Sequence, residues 1–119
     1  MKILVVDDNE SISNMLQKFF KIKGYDCIAS LDGRNALDLM LHQKFDVVIL
    51  DLAMPEFSGY DIIDDLEKNG KLKEQNIIVL TASPISTEIS DSLLKRGVKS
   101  CLKKPVTPDV LLKTISSMH

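Results

Sequence analysis

The sequence predicts an α/β domain: a doubly wound parallel sheet of five strands in the order 2-1-3-4-5, with five helices. Three observations carry this. Short β-branched apolar runs recur without polar alternation, which marks strands covered on both faces. Segments of helical periodicity separate them, and the two patterns alternate five times, as right-handed strand–helix–strand crossovers require. Five repeats are too few to close an eight-stranded barrel.

The strongest strand signals are Ile3 to Val6, Val47 to Leu50 and Ile77 to Leu80; weaker ones lie at Asp26 to Ala29 and Ser100 to Leu102. After the first strand, Ile12, Met15, Leu16, Phe19 and Phe20 form one apolar stripe, and Gly24 stops that helix. A second helix is read at Ala36, Leu37, Met40 and Leu41. A third, at Ile62, Ile63 and Leu66, ends near Gly70, and a fourth, at Ile89, Leu93 and Leu94, ends at Gly97. The fifth has Thr107 as N-cap, Pro108 at its first position and Asp109 at the positive end of the helix dipole. Its expected buried face is Val110, Leu111, Thr114, Ile115 and Met118.

The 119 residues (13.3 kDa), 45% hydrophobic and 27% charged, suit a single domain with a real core. No linker, repeat or low-complexity segment interrupts them, so residues 1–119 are expected to be one unit without an output domain. No apolar run is long enough to span a bilayer and the start lacks a signal-peptide layout, so no membrane partner and a cytoplasmic location are expected. Cys27 and Cys101 fit no metal spacing and are read as buried thiols, not a disulfide. The net charge of −2 divides into −7 over residues 1–94 and +5 over residues 95–119. That basic end lacks interleaved aromatics and any DNA-reading motif, so a solvated helix face is favoured over a nucleic-acid surface.

Polar residues interrupt the pattern at strand C-termini: Asp7 and Asp8 after the first, Asp51 at the third, Thr81 at the fourth, Lys104 after the fifth. In an open parallel sheet that edge holds the ligand crevice, where the strand order reverses between strands one and three. Asp8 and Asp51 are therefore expected to meet. Converging carboxylates resist ionisation without a cation, which points to a hard divalent ion; magnesium, held by one or two carboxylates plus a phosphate, fits best. Taken singly, each acid would be an ordinary cap or loop residue. Their coincidence with Thr81 and Lys104 is what indicates a phosphoryl site.

Over its whole length the chain resembles the receiver domains of two-component response regulators. The resemblance rests on Val6-Asp7-Asp8-Asn9, the run Asp46 to Leu52, Met54-Pro55, Gly59, Leu80-Thr81-Ala82 and Lys104-Pro105, in this order and spacing. It implies a flavodoxin-like fold and Asp51 as phosphoacceptor. It further implies Mg2+ held by the side chains of Asp8 and Asp51, the carbonyl of Ala53 and, through water, Asp7. Lys104 would meet the phosphoryl charge, its choice over Lys103 being set by Pro105, before which a cis bond is expected. Thr81, followed by the small Ala82, would donate its hydroxyl to the phosphoryl group and draw the following loop inward.

The implied donor is a sensor histidine kinase or phosphotransfer protein. The implied output is a downstream protein partner on the face of helix four, strand five and helix five, where Ser83, Ser86, Thr87, Ser90, Lys95, Lys99 and Lys103 offer polar contacts. Ala53 and Ser83 are expected to flank the route of attacking water. One departure stands out: where the family carries Tyr or Phe, three residues before the lysine, this chain has Cys101. An aspartyl-nucleophile, magnesium-dependent phosphatase is the rival reading. It needs an acid two residues after the nucleophile, and Ala53 stands there. A flavin site would need a phosphate-cradling loop after strand one, where Asp7 and Asp8 repel a phosphate.

Overall fold

The computed structural model describes residues 1–82 and 85–118; Ser83, named above for two roles, lies outside them. In chain order the elements are β1 (Lys2–Val6), α1 (Glu10–Ile22), β2 (Asp26–Ser30), α2 (Gly33–His42), β3 (Val47–Asp51) and α3 (Gly59–Lys68). A single 3-10 turn (Leu72–Glu74) leads to β4 (Ile77–Thr81), α4 (Thr87–Arg96), β5 (Ser100–Lys103) and α5 (Pro108–Met118). The sheet order is β2-β1-β3-β4-β5 and every pair is parallel, as the sequence predicts.

Successive residues of a strand point to opposite faces, so each strand feeds two cores. Ile3, Val5, Val47, Ile49, Ile78 and Leu80 pack under α1 and α5 against Leu16, Phe20, Leu111 and Ile115. Leu4, Val6, Val48, Leu50, Ile77 and Val79 pack on the other face beneath α2, α3 and α4. Because both faces are covered, polar side chains gather at the ends of the strands.

Local chemistry sets the helix ends. Asn9 caps α1 by accepting the Ile12 N–H, so neither Asp7 nor Asp8 serves as its N-cap. Ser58 and Asp61 form a reciprocal capping box at α3, and Thr107 accepts the Val110 N–H at the start of α5. Gly24, Gly70 and Gly97 follow helices with positive φ, as expected of residues that close helices.

Several apolar positions depart from the sequence expectation. Met15 (44% exposed) and Val110 (42%) are not buried. Met15 instead lines a shallow apolar groove of about 350 Å³ between α1 and the start of α5. In α4, Leu93 alone is buried, while Ile89 and Leu94 face outward. The sheet ends at β5, whose outer side α4 covers incompletely; Cys101 is therefore half-buried, whereas Cys27 is buried.

Candidate functional site

The parallel register brings Val6 opposite Leu50, so the chain leaves β1 and β3 side by side at the carboxyl edge. Asp7 and Asp8 follow β1 directly, and Asp51 is the last residue of β3. One carboxylate oxygen from each lies within 4.8 Å of the other two. Asp7 and Asp51 are buried and Asp8 is exposed.

Lys104 enters from the residue after β5. Its main-chain N–H donates to the Thr81 carbonyl at 2.8 Å, which fixes where its side chain begins. Its Nζ donates to Asp7 Oδ2 at 2.7 Å and lies 3.5 Å from Asp51 Oδ2. The peptide bond from Lys104 to Pro105 is cis. Lys103, one residue earlier, is exposed.

Electrostatics follow from this packing. Burial pushes the Asp51 carboxyl above its ordinary range. The Ala53 N–H, which donates to Oδ1 at 3.1 Å, partly offsets that, and the neighbouring Asp7 pushes it further up. Burial alone would lower Lys104, but the hydrogen bond to Asp7 and the charge of Asp51 win and its ammonium is stabilised. Three acids facing one lysine leave an excess of two negative charges. That donor set, all hard oxygen with one site open to solvent at Asp8, fits a divalent cation such as Mg2+.

The remaining residues singled out in the sequence lie around this centre. Thr81 is buried at the end of β4. Ala53 is exposed; its N–H, not its carbonyl, is the group hydrogen-bonded to Asp51. Gly59 lets α3 start against β3, since a Cβ there would stand 2.5 Å from the Asp51 carbonyl oxygen. Glu56, at φ +66°, is the left-handed centre of a tight turn closed by the Phe57 N–H on the Pro55 carbonyl at 2.7 Å.

Two buried serines that the sequence did not single out adjoin Asp7, Ser13 through its hydroxyl and Ser30 through its main-chain carbonyl. Ser13 was legible in principle. It precedes Leu16 and Phe20 by three and seven residues, placing a polar side chain on the core-facing stripe of α1.

A doubly wound five-stranded sheet with an acidic trio and a lysine at its carboxyl edge defines a flavodoxin-like domain of the signalling type. The chain belongs to the response regulator receiver domain family, whose sequence pattern matches residues 3–116. It is thus a component of two-component signal transduction. It is 37% identical to the probable transcriptional regulator ycf27 of Porphyridium aerugineum over 118 residues, covering 98% of this chain and 47% of that protein.

Among solved structures, the receiver domain of the Francisella response regulator 1452 superposes with a TM-score of 0.88 at 31% identity, covering 98% of this chain and 94% of that one. The Thermotoga maritima response regulator protein TrrA, solved in complex with Mg(2+)-BeF, gives 0.81 at 28%, covering 99% and 98%. The chain spans about half or less of the length of the curated relatives it matches. Receiver domains bind Mg2+ at an acidic pocket and interact with histidine kinases or phosphotransfer proteins. Among the described residues, no helix is long and apolar enough to cross a membrane.

Proposed function

We propose that this chain stores a phosphoryl group on Asp51, received from a phosphohistidine of a kinase or phosphotransfer protein, and that the modification switches protein–protein binding. The observation that carries the reading is the meeting of the Asp7, Asp8 and Asp51 carboxylates with the Lys104 ammonium at one sheet edge. In the transfer, an Asp51 carboxylate oxygen forms a bond to phosphorus as the bond from phosphorus to the imidazole nitrogen breaks; with the ring's other nitrogen protonated, the departing nitrogen keeps the electron pair and a neutral imidazole leaves.

Asp8 and Asp51, with the Ala53 carbonyl and Asp7 through water, would hold Mg2+. The ion, when bound, would supply charge neutralisation for the phosphoryl oxygens. Lys104 supplies the protein's own positive charge. Held by Asp7 at 2.7 Å and already 3.5 Å from Asp51, its ammonium can shift toward a phosphoryl oxygen without leaving the site.

Thr81 then donates its hydroxyl to a phosphoryl oxygen and draws the segment before α4 inward. Cys101 is too small to fill the space beside Thr81: a half-open cavity of about 310 Å³ lies there, walled also by Ile85, Ser90 and Leu102. With no ring at position 101 to relay the movement, the change reaches the surface through displacement of α4. A partner reads it on the α4–β5–α5 face.

Intact-mass spectrometry after incubation with acetyl phosphate and Mg2+ tests the reading. Wild type should gain one phosphoryl group and Asp51→Asn should gain none; absence of a gain in wild type would refute it.

A further inference from the structure

Five polar side chains are buried among the described residues: Asp7, Ser13, Ser30, Asp51 and Thr81. Three belong to the site above, and the other two flank Asp7. The Asp7 N–H donates to the Ser30 carbonyl at 3.1 Å, a main-chain bond that any residue at position 30 could supply. Ser13 is different, because its side chain makes the contact: Oγ donates to the Asp7 carbonyl at 3.0 Å.

Resting on the proposed function, we infer that Ser13 is a positioning residue for the metal site, holding the Asp7–Asp8 peptide so that both carboxylates face Asp51. A serine inside a helix usually bonds back to the carbonyl four residues earlier. Here the hydroxyl instead reaches six residues back, out of the helix, to the Asp7 carbonyl. Helical side chains lean toward the N-terminus, so position 13 aims at the end of β1.

The hydroxyl completes a four-point fixation of Asp7. Its N–H is bound to Ser30, its carbonyl to Ser13, Oδ1 to the Asn9 N–H at 2.9 Å and Oδ2 to Lys104. Asp8 shares the peptide whose carbonyl Ser13 holds, yet its own side chain is exposed. Its direction therefore depends on how that peptide is oriented. Serine is a poorer helix former than alanine and its burial carries a desolvation cost, so bulk stability gives little reason for a hydroxyl here. Orientation of the acids does.

The test compares wild type, Ser13→Ala, Ser13→Thr and the exposed control Ser11→Ala by calorimetric titration with MgCl2, by urea unfolding in EDTA, and by metal-free amide exchange at Asn9. Removing a group that orients a metal ligand typically weakens binding tenfold or more. Ser13→Ala should bind Mg2+ about tenfold more weakly. Its urea midpoint should fall modestly, because alanine's helix propensity only partly offsets a buried carbonyl left without its donor. Its Asn9 amide should exchange faster, Ser13→Thr should recover most of the affinity, and Ser11→Ala should match wild type. Unchanged Mg2+ affinity in Ser13→Ala, or a Thr variant as impaired as the Ala variant, overturns the inference. A wild type that binds no Mg2+ overturns the reading of the site itself, and the inference with it.

Discussion

Replacing Asp51 by Asn removes one of three converging charges while keeping an oxygen to accept the Ala53 N–H, so the apo fold is expected to become more stable. At a separation of up to 4.8 Å and an effective dielectric constant of roughly 20, repulsion between Asp51 and Asp7 amounts to at least about 3.5 kcal/mol. Exposed Asp8 adds a screened fraction, roughly 1 kcal/mol. Lys104 at 3.5 Å returns about 5 kcal/mol.

These charges nearly cancel, and desolvation of a carboxylate only 5% exposed, several kcal/mol in general and discounted here to about 2, decides the sign. Asp51→Asn should therefore gain about 1–3 kcal/mol in urea unfolding at neutral pH in EDTA.

The pH dependence has a definite direction. The folded-state pKa of Asp51 lies above the ordinary 3.8, so between those values the folded protein binds more protons than the unfolded chain. Stability at this site thus falls as pH rises through that window. The advantage of the Asn variant should vanish below pH 3.8 and be full above the raised value. Mg2+ should stabilise wild type more than the variant, following the logarithm of its concentration over the dissociation constant. An Asn variant no more stable than wild type in EDTA, or one stabilised equally by Mg2+, would show that the three acids do not act as one repulsive, cation-seeking centre.

Glu56→Gly should gain roughly 1 kcal/mol in thermal unfolding, since glycine takes φ +66° without the side-chain clash that glutamate bears there. Buried Cys27, pushed up to about 11 from 9.0, makes the fold lose stability as pH rises between those values, by about 2–3 kcal/mol in all; Cys27→Ala should flatten that alkaline limb in pH-resolved urea melts. Arg96 joins α4 to α3 through Asp64 at 2.6 Å and Glu67 at 3.0 Å. Its replacement by Ala should cost at most about 1 kcal/mol globally. It should nevertheless speed amide exchange across Thr87–Arg96 several-fold, with α1 unchanged; equal acceleration in both helices would contradict a local tether.

The central strands were legible because burial on both faces leaves an unmistakable composition: Val47 to Leu50 and Ile77 to Leu80 contain no polar residue at all. The convergence of Asp7, Asp8 and Asp51 was legible for the complementary reason, since polar residues at the ends of such strands can only lie at the edge. Periodicity was less informative at the periphery. Met15, Val110 and Leu94 sit at helical spacing with buried residues, yet each lies at the margin of a stripe, where a helix's tilt and its neighbours decide exposure. The spacing of Ser13 to Leu16 and Phe20 marks it as core-facing, but does not say what its hydroxyl bonds. Its meaning comes from the Asp7 carbonyl, a main-chain group invisible to side-chain spacing.

The thin anchoring of α4 has a consequence for how such a domain can change over generations. A ten-residue helix with Leu93 as its buried residue, and Ser90 and Arg96 half-buried, leaves seven exposed positions where substitution costs the fold little, typically within about 0.5 kcal/mol. The acid cluster, by contrast, is tied into the core from several strands at once. If α4 carries the partner surface, as proposed, recognition and chemistry would draw on separate sets of residues, and a lineage could acquire a new listener by rewriting α4 while the means of receiving the message stayed untouched.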